Sequence, residues 1–209
     1  MNFKEFKNRI EAYKTKTLGG LDAQFKLAPE LRLRYDANKI KIKNPKRAAV
    51  LALFYPNKKN EATFLLTERA TYKGAHSAQI SFPGGKVDVL DKNLQETALR
   101  ETFEEVGVTV SKLDIIRELT EVYIPPSNFL VTPYLAYLDK RPTLITNYEV
   151  ESTIEVLAEN LINDSFLATR RIKTSYMNIA DVPCFKFNNY IVWGATAMML
   201  SEIKELIKY

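Results

Sequence analysis

Apolar residues stand at three- and four-residue steps at the start of the chain, Phe3, Phe6, Ile10 and Tyr13, which predicts a helix with one apolar face. The next stretch, "LGGLDAQFKLAPELRLR", mixes Gly, Pro and both polarities and reads as an irregular lead-in. From Arg47 the texture changes. "AAVLALFYP" and "ATFLLTERA" are short apolar runs separated by the polar turn "NKKNE", the pattern of two strands joined as a hairpin. "AQISF" reads as a third short strand, stopped by Pro83 and the Gly84-Gly85 pair. "NLQETALRETFEEV" then shows helical periodicity up to Gly107, a natural helix stop.

Beyond that helix, "DIIREL", "EVYIP", "FLVTPYLAYLD", "TIEVLA", "RIKTSYMNI", "PCFKF" and "YIVWG" have strand length and strand patterning, and "ATAMMLSEIKELI" closes the chain as a helix. Strands outnumber helices and no repeat period is present, so the expected fold is an α/β sandwich, a mixed sheet with few helices against it. The chain divides into a lead-in, residues 1–46, packing on one domain, residues 47–209. At 209 residues a second domain would leave both parts small.

Composition narrows the class only a little. A hydrophobic fraction of 46% and a charged fraction of 26% are ordinary for a folded globular protein. The net charge of +5 suits a polyanionic partner such as a nucleotide, but the lysines are scattered. The one dense stretch, "NKIKIKNPKR", alternates Lys with Ile as a solvated strand edge would, so no nucleic-acid partner is expected. Cys184 is the single cysteine, the N-terminus lacks a signal-peptide core, and no apolar run reaches membrane-spanning length. The expected home is cytoplasmic, with no membrane association.

The candidate chemistry lies in "SFPGGKVDVLDKNLQETALRETFEEVGV", Ser81 to Val108. At 100° per residue, Glu101, Glu104 and Glu105 share about a third of the helix circumference, and Leu99, Thr102, Phe103 and Val106 are expected to face the core from the other side. Carboxylates so close repel unless a cation sits among them, and grouped hard oxygens suit Mg²⁺ or Mn²⁺. Taken alone, such a pattern also describes a solvated helix face. The glycine pair, which lets backbone approach a ligand, favours a site.

"GGKVDVLDKNLQETALRETFEEVGV" resembles the Nudix box of the Nudix hydrolases: Gly, five residues, Glu, seven residues, then Arg-Glu-apolar-x-Glu-Glu-x-Gly-apolar. Gly85, Arg100, Glu101, Glu104, Glu105, Gly107 and Val108 match, with Thr102 in an apolar slot. The upstream glutamate is Asp91, and eight residues separate it from Arg100. Both departures are similar to the coenzyme A pyrophosphatase branch, as is "LLTERATYKGAHSAQISFPGG", Leu65 to Gly85. Gly74 and Ala78 stand where that branch commonly has Arg and Gly. "YIPPSNFLVTPYLAYL" and "VWGATAMML" also look like this branch, so the resemblance runs from about Arg47 to the end and leaves the first forty or so residues uncovered.

The resemblance implies metal-dependent hydrolysis of a pyrophosphate in a CoA-like small-molecule nucleotide. Glu101 and Glu105 would be the first metal ligands, Glu104 the third, and Gly85 a carbonyl ligand. Arg100 would orient the glutamates. The general base would be Glu101 or a carboxylate from a later loop, Glu149 or Glu151. Arg69, Lys73, His76 and Lys86 lie where they can meet substrate phosphates, though the only histidine also reads as a structural imidazole. Ser127-Asn128, after two prolines, is either a plain turn or a holder of polar side chains toward a ligand. Phe187, Tyr190 and Trp193 are either core or a stacking surface. Two other readings stay open: hydrolysis of ADP-ribose or a dinucleotide, and a nucleotide-binding module without catalysis.

Overall fold

A computed structural model describes residues 1–70, 79–174 and 177–208. The chain begins with five short helices, α1 (Phe3–Asn8), α2 (Ile10–Thr15), α3 (Gly20–Phe25), α4 (Glu30–Leu33) and α5 (Ala37–Ile42). It continues through β1 (Lys46–Pro56), β2 (Ala62–Arg69), β3 (Ile80–Ser81), β4 (Gly84–Lys86) and α6 (Leu94–Val106). Next come β5 (Ile115–Glu118), β6 (Val122–Ile124), β7 (Phe129–Tyr137), β8 (Val150–Leu157) and α7 (Ala158–Ile162). Last are β9 (Leu167–Thr174), β10 (Met177–Phe187), β11 (Tyr190–Trp193) and α8 (Gly194–Ile207).

Eight strands form a mixed sheet along the order β3-β2-β1-β7-β5, with β4 on β1, β6 on β7 and β8 on β2. β1 and β7 run parallel, from Lys46 opposite Phe129 to Phe54 opposite Tyr137, while the other pairings in this sheet are antiparallel. β9, β10 and β11 form a separate antiparallel sheet. β1 explains the unbroken apolar run "AAVLALFYP", because it is covered on both faces. Alternate residues Ala49, Leu51, Leu53 and Tyr55 pack with Ala98 and Val106 of α6, and Ala48, Ala52 and Phe54 pack with the cluster that holds the N-terminal helices and α8. The predicted α/β sandwich is the observed architecture.

The lead-in is more ordered than its composition predicts. The expected first helix is two, broken at Arg9, yet Phe3, Phe6, Ile10 and Tyr13 are all buried. The Phe6 ring stacks on Phe54 with centroids 4.9 Å apart. Tertiary bonds fix α3 despite its glycines: Ser201 Oγ donates to the Ala23 carbonyl at 2.6 Å, and Gln24 Nε2 to the Thr120 carbonyl at 2.8 Å. The Lys-Ile stretch is solvated as expected but helical, because the Asp36 carboxylate caps α5 by accepting the Lys39 N–H at 2.9 Å. Among the described residues no helix is long and apolar enough to cross a membrane.

Candidate active site

The Gly84-Gly85 pair and the glutamate helix meet at the middle of the sheet. β4 pairs with β1, Val50 opposite Gly84 and Ala49 opposite Gly85. Gly84 has φ +149°, and a Cβ there would overlap the Ala49 carbonyl and the Val50 Cα. A Cβ on Gly85 would run into the Glu101 carboxylate. The Gly84 N–H donates to Glu105 Oε2 at 3.0 Å. Gly85 therefore leaves room for the Glu101 carboxylate, while Gly84 lets β4 lie close against β1 and presents its N–H to Glu105.

α6 is capped by Asn93, whose side chain accepts the Glu96 N–H at 2.9 Å, and ends at left-handed Gly107, φ +71°. Its packed face differs from the expected one. Thr97, Ala98, Thr102, Glu105 and Val106 are buried, whereas Phe103 is 56% exposed. The glutamate stripe thus overlaps the packed face. Thr102 fits its apolar slot because its hydroxyl donates to the Ala98 carbonyl at 2.7 Å.

Arg100 organises the charges. Its Nε and Nη2 donate to the two oxygens of Asp91 at 2.9 and 2.8 Å, and Nη2 also reaches the Lys86 carbonyl at 3.1 Å. Its Nη1 donates to Glu101 Oε1 at 2.8 Å and Glu104 Oε2 at 3.1 Å. Asp91 further accepts from the Thr97 hydroxyl and from its own loop through the Asp88 N–H. These bonds, those of Arg100 first, hold the Asp91 carboxyl well below the usual carboxylate range.

The buried glutamates are pushed the other way. Burial raises the Glu105 carboxyl to about 7, opposed by the Gly84 N–H and Arg69. Burial also raises Glu101, opposed by Arg100, and the charges of Glu104 and Glu149 add to the effect. Glu149 acts on both buried glutamates and lies 3.4 Å from Arg69 Nη2. It is held by backbone bonds, its carbonyl accepting from Ala70 N–H at 2.9 Å and its N–H donating to Asn147 Oδ1 at 2.9 Å. Glu151 is exposed at the start of β8.

These donors are all oxygens, and crowded, desolvated carboxylates are what a hard divalent cation relieves, so the residues present fit Mg²⁺ or Mn²⁺. Among the described residues no three acidic or other ligating side chains form a ready metal cage. Arg100 Nη1 lies between Glu101 and Glu104 instead. Lys86 is exposed beside this cluster. Lys73 and His76, with Gly74 and Ala78, lie outside the described residues.

A cavity of about 230 Å³ opens next to Arg69, Gly84 and Gly85. Trp193 lines it, and Phe187 is instead fully buried against Phe64 and Phe185. Ser127 lines it too, whereas Asn128 braces the turn, accepting from the Tyr123 hydroxyl and donating to the Lys43 carbonyl, each at 2.9 Å. Sequence reasoning missed Arg32, which lines the same cavity from α4. No motif marks it.

The NUDIX domain model matches residues 45–170. Nudix hydrolase 3 of Caenorhabditis elegans is 29% identical over 159 residues, 68% of this chain and 66% of that protein, so the match spans just under two thirds of the nematode relative. An uncharacterized Nudix hydrolase NudL of Photorhabdus laumondii is 30% identical over 158 residues, 72% of this chain and 80% of its own length. The fold is similar to that of a MutT/nudix family protein from Enterococcus faecalis, with TM-score 0.54 and 16% identity over 83% of this chain and 70% of that one. The chain belongs to the Nudix hydrolase family.

Proposed function

We propose that the chain hydrolyses the pyrophosphate bond of coenzyme A or its acyl derivatives, giving adenosine 3′,5′-bisphosphate and 4′-phosphopantetheine or its acyl form. Water adds across the P–O–P bridge: its oxygen joins one phosphorus and the bridging oxygen leaves with the other. The observation that carries the reading is Asp91. It takes the place of the motif glutamate with one extra residue between it and Arg100, yet meets Arg100 through two hydrogen bonds. The Leu65–Gly85 stretch points to the same branch.

Glu101 and Glu105 would hold a divalent cation, with Glu104 and the Gly85 carbonyl completing the protein ligands. Such a cation, when bound, neutralises diphosphate oxygens and makes hydroxide available near neutral pH. Arg100 orients Glu101 and Glu104 through its planar fork. Glu149 is assigned the proton from the attacking water, with Glu101 the alternative base. Arg69, Lys73, His76 and Lys86 are assigned to substrate phosphates.

Gly74 and Ala78 depart from the branch pattern and favour a second reading, hydrolysis of ADP-ribose or a dinucleotide. Incubating the full chain with Mg²⁺ or Mn²⁺ and coenzyme A, acyl-coenzyme A, ADP-ribose or dinucleotides tests both. Adenosine 3′,5′-bisphosphate from coenzyme A is expected. Cleavage of ADP-ribose without cleavage of coenzyme A overturns the first reading in favour of the second.

A further inference from the structure

Among the described residues, the cavity beside the glycine pair has one cationic side chain that the glutamate cluster does not use. Arg32 is only 4% exposed and lines the cavity from α4. Its Nη1 donates to the Tyr35 carbonyl at 2.7 Å, its guanidinium lies 5.2 Å from the centre of the Phe25 ring, and among the described residues its Nε has no hydrogen-bond partner. Among the described residues no carboxylate forms an ion pair with it. Burial works against its charge, opposed only by Tyr123. A buried, unpaired guanidinium is costly for a fold to keep unless an anion arrives to meet it.

Two further features of the same cavity suit an anion. Ser127 Oγ is buried there without a hydrogen-bond partner. The first turn of α8, Gly194 to Thr196, also lines it, and no side chain caps that 14-residue helix. An uncapped helix N-terminus presents free N–H groups and the positive end of the helix dipole. The remaining walls are largely apolar, among them Phe82, Phe129 and Trp193. At about 230 Å³ the space is below the roughly 300–1,000 Å³ of a whole-ligand site, so it takes one end of a ligand. It adjoins Gly84 and Gly85, the pair that Glu105 and Glu101 meet.

We propose that this cavity binds a phosphomonoester carried at one end of the substrate, through Arg32, Ser127 Oγ and the first turn of α8. This deepens the function proposed above. A nucleoside diphosphate derivative with a separate phosphate on its ribose, as in coenzyme A, satisfies the buried guanidinium. A substrate without that phosphate, such as ADP-ribose, leaves it unmet.

The test compares coenzyme A with 3′-dephospho-coenzyme A as substrates, and adenosine 3′,5′-bisphosphate with AMP as titrants in calorimetry, using the full chain. Wild type is expected to favour the phosphorylated member of each pair about tenfold or more, as charge-assisted hydrogen bonds allow. Arg32→Gln, checked for folding by circular dichroism, should bring both ratios toward one, and Ser127→Ala should lower them in part. No preference in the wild type, or an undiminished one in folded Arg32→Gln, overturns the proposal. If Arg32→Gln does not fold, an undiminished preference in Ser127→Ala overturns it. Failure to cleave either coenzyme, alongside bisphosphate binding tighter than AMP and weakened by these substitutions, would sink the proposed function and leave the anion site standing.

Discussion

Arg100 grips Asp91 through two nearly parallel hydrogen bonds of 2.9 and 2.8 Å while its third nitrogen reaches Glu101 and Glu104. Asp91 thereby sets where the guanidinium stands, and the guanidinium sets where two glutamates stand. Asp91→Asn keeps the size but removes the charge and one acceptor. It should lower kcat/KM by about 10–100-fold, the range for residues that orient ligands, with the fold kept. Steady-state kinetics and circular dichroism on the variant check this.

Glu105 accepts one backbone N–H and is otherwise desolvated, so its charge is poorly supported by the protein alone. Glu105→Gln can still accept the Gly84 N–H and removes the buried charge. Turnover should fall by about a hundredfold or more, as expected when a ligand of a reacting cation is lost. The melting temperature of the metal-free chain should be unchanged or higher. A parallel loss of melting temperature and activity would reduce Glu105 to a structural residue.

Metal binding to the folded state should stabilise it by about 2.7 kcal/mol at a hundred times Kd, so the melting temperature should climb with the logarithm of metal concentration. Thermal melts with Mg²⁺ and Mn²⁺ on wild type and Glu105→Gln are the measurement. The rise should be absent or much smaller in the variant, and a chelator should abolish hydrolysis.

The glycines separate stability from chemistry. Gly84→Ala meets backbone atoms at φ +149° and should destabilise by more than the roughly 1–3 kcal/mol of strain alone. Gly85→Ala displaces the Glu101 carboxylate and should cost activity more than stability. Urea unfolding set beside kinetics distinguishes them; equal stability losses with equal kinetics would contradict the geometry.

Phe6→Ala should cost about 3–5 kcal/mol, because the ring is fully buried and stacks on Phe54. Chemical denaturation monitored by circular dichroism gives the value.

The strands and both long helices were legible because burial imposes its period on the residues that carry it. β1 reads as apolar throughout since both faces are covered, and Gly107 stops α6 where a left-handed residue is required. The glutamate cluster was legible through spacing. Two things were not. Phe103 was expected inside because helix geometry gives relative angles and not the direction of the sheet, which Glu105 and Thr102 face. α3 was hidden because the bonds of Gln24 to Thr120 and Glu202, 96 and 178 positions away, hold it where local propensity does not. Arg32 lies in no motif, and its recorded partners, Tyr35 and Phe25, give no sign in the sequence that it lines a cavity.

The cavity draws part of its walls from both ends of the chain, Pro29 to Arg32 and Trp193 to Met199, outside the segment, residues 45–170, that matches the NUDIX domain model, and the rest, Ser127 and Phe129 among them, from within it. The glutamates and glycines lie within it. Substitutions at either end of the chain can therefore reshape one side of that cavity while the glutamates and glycines keep their places.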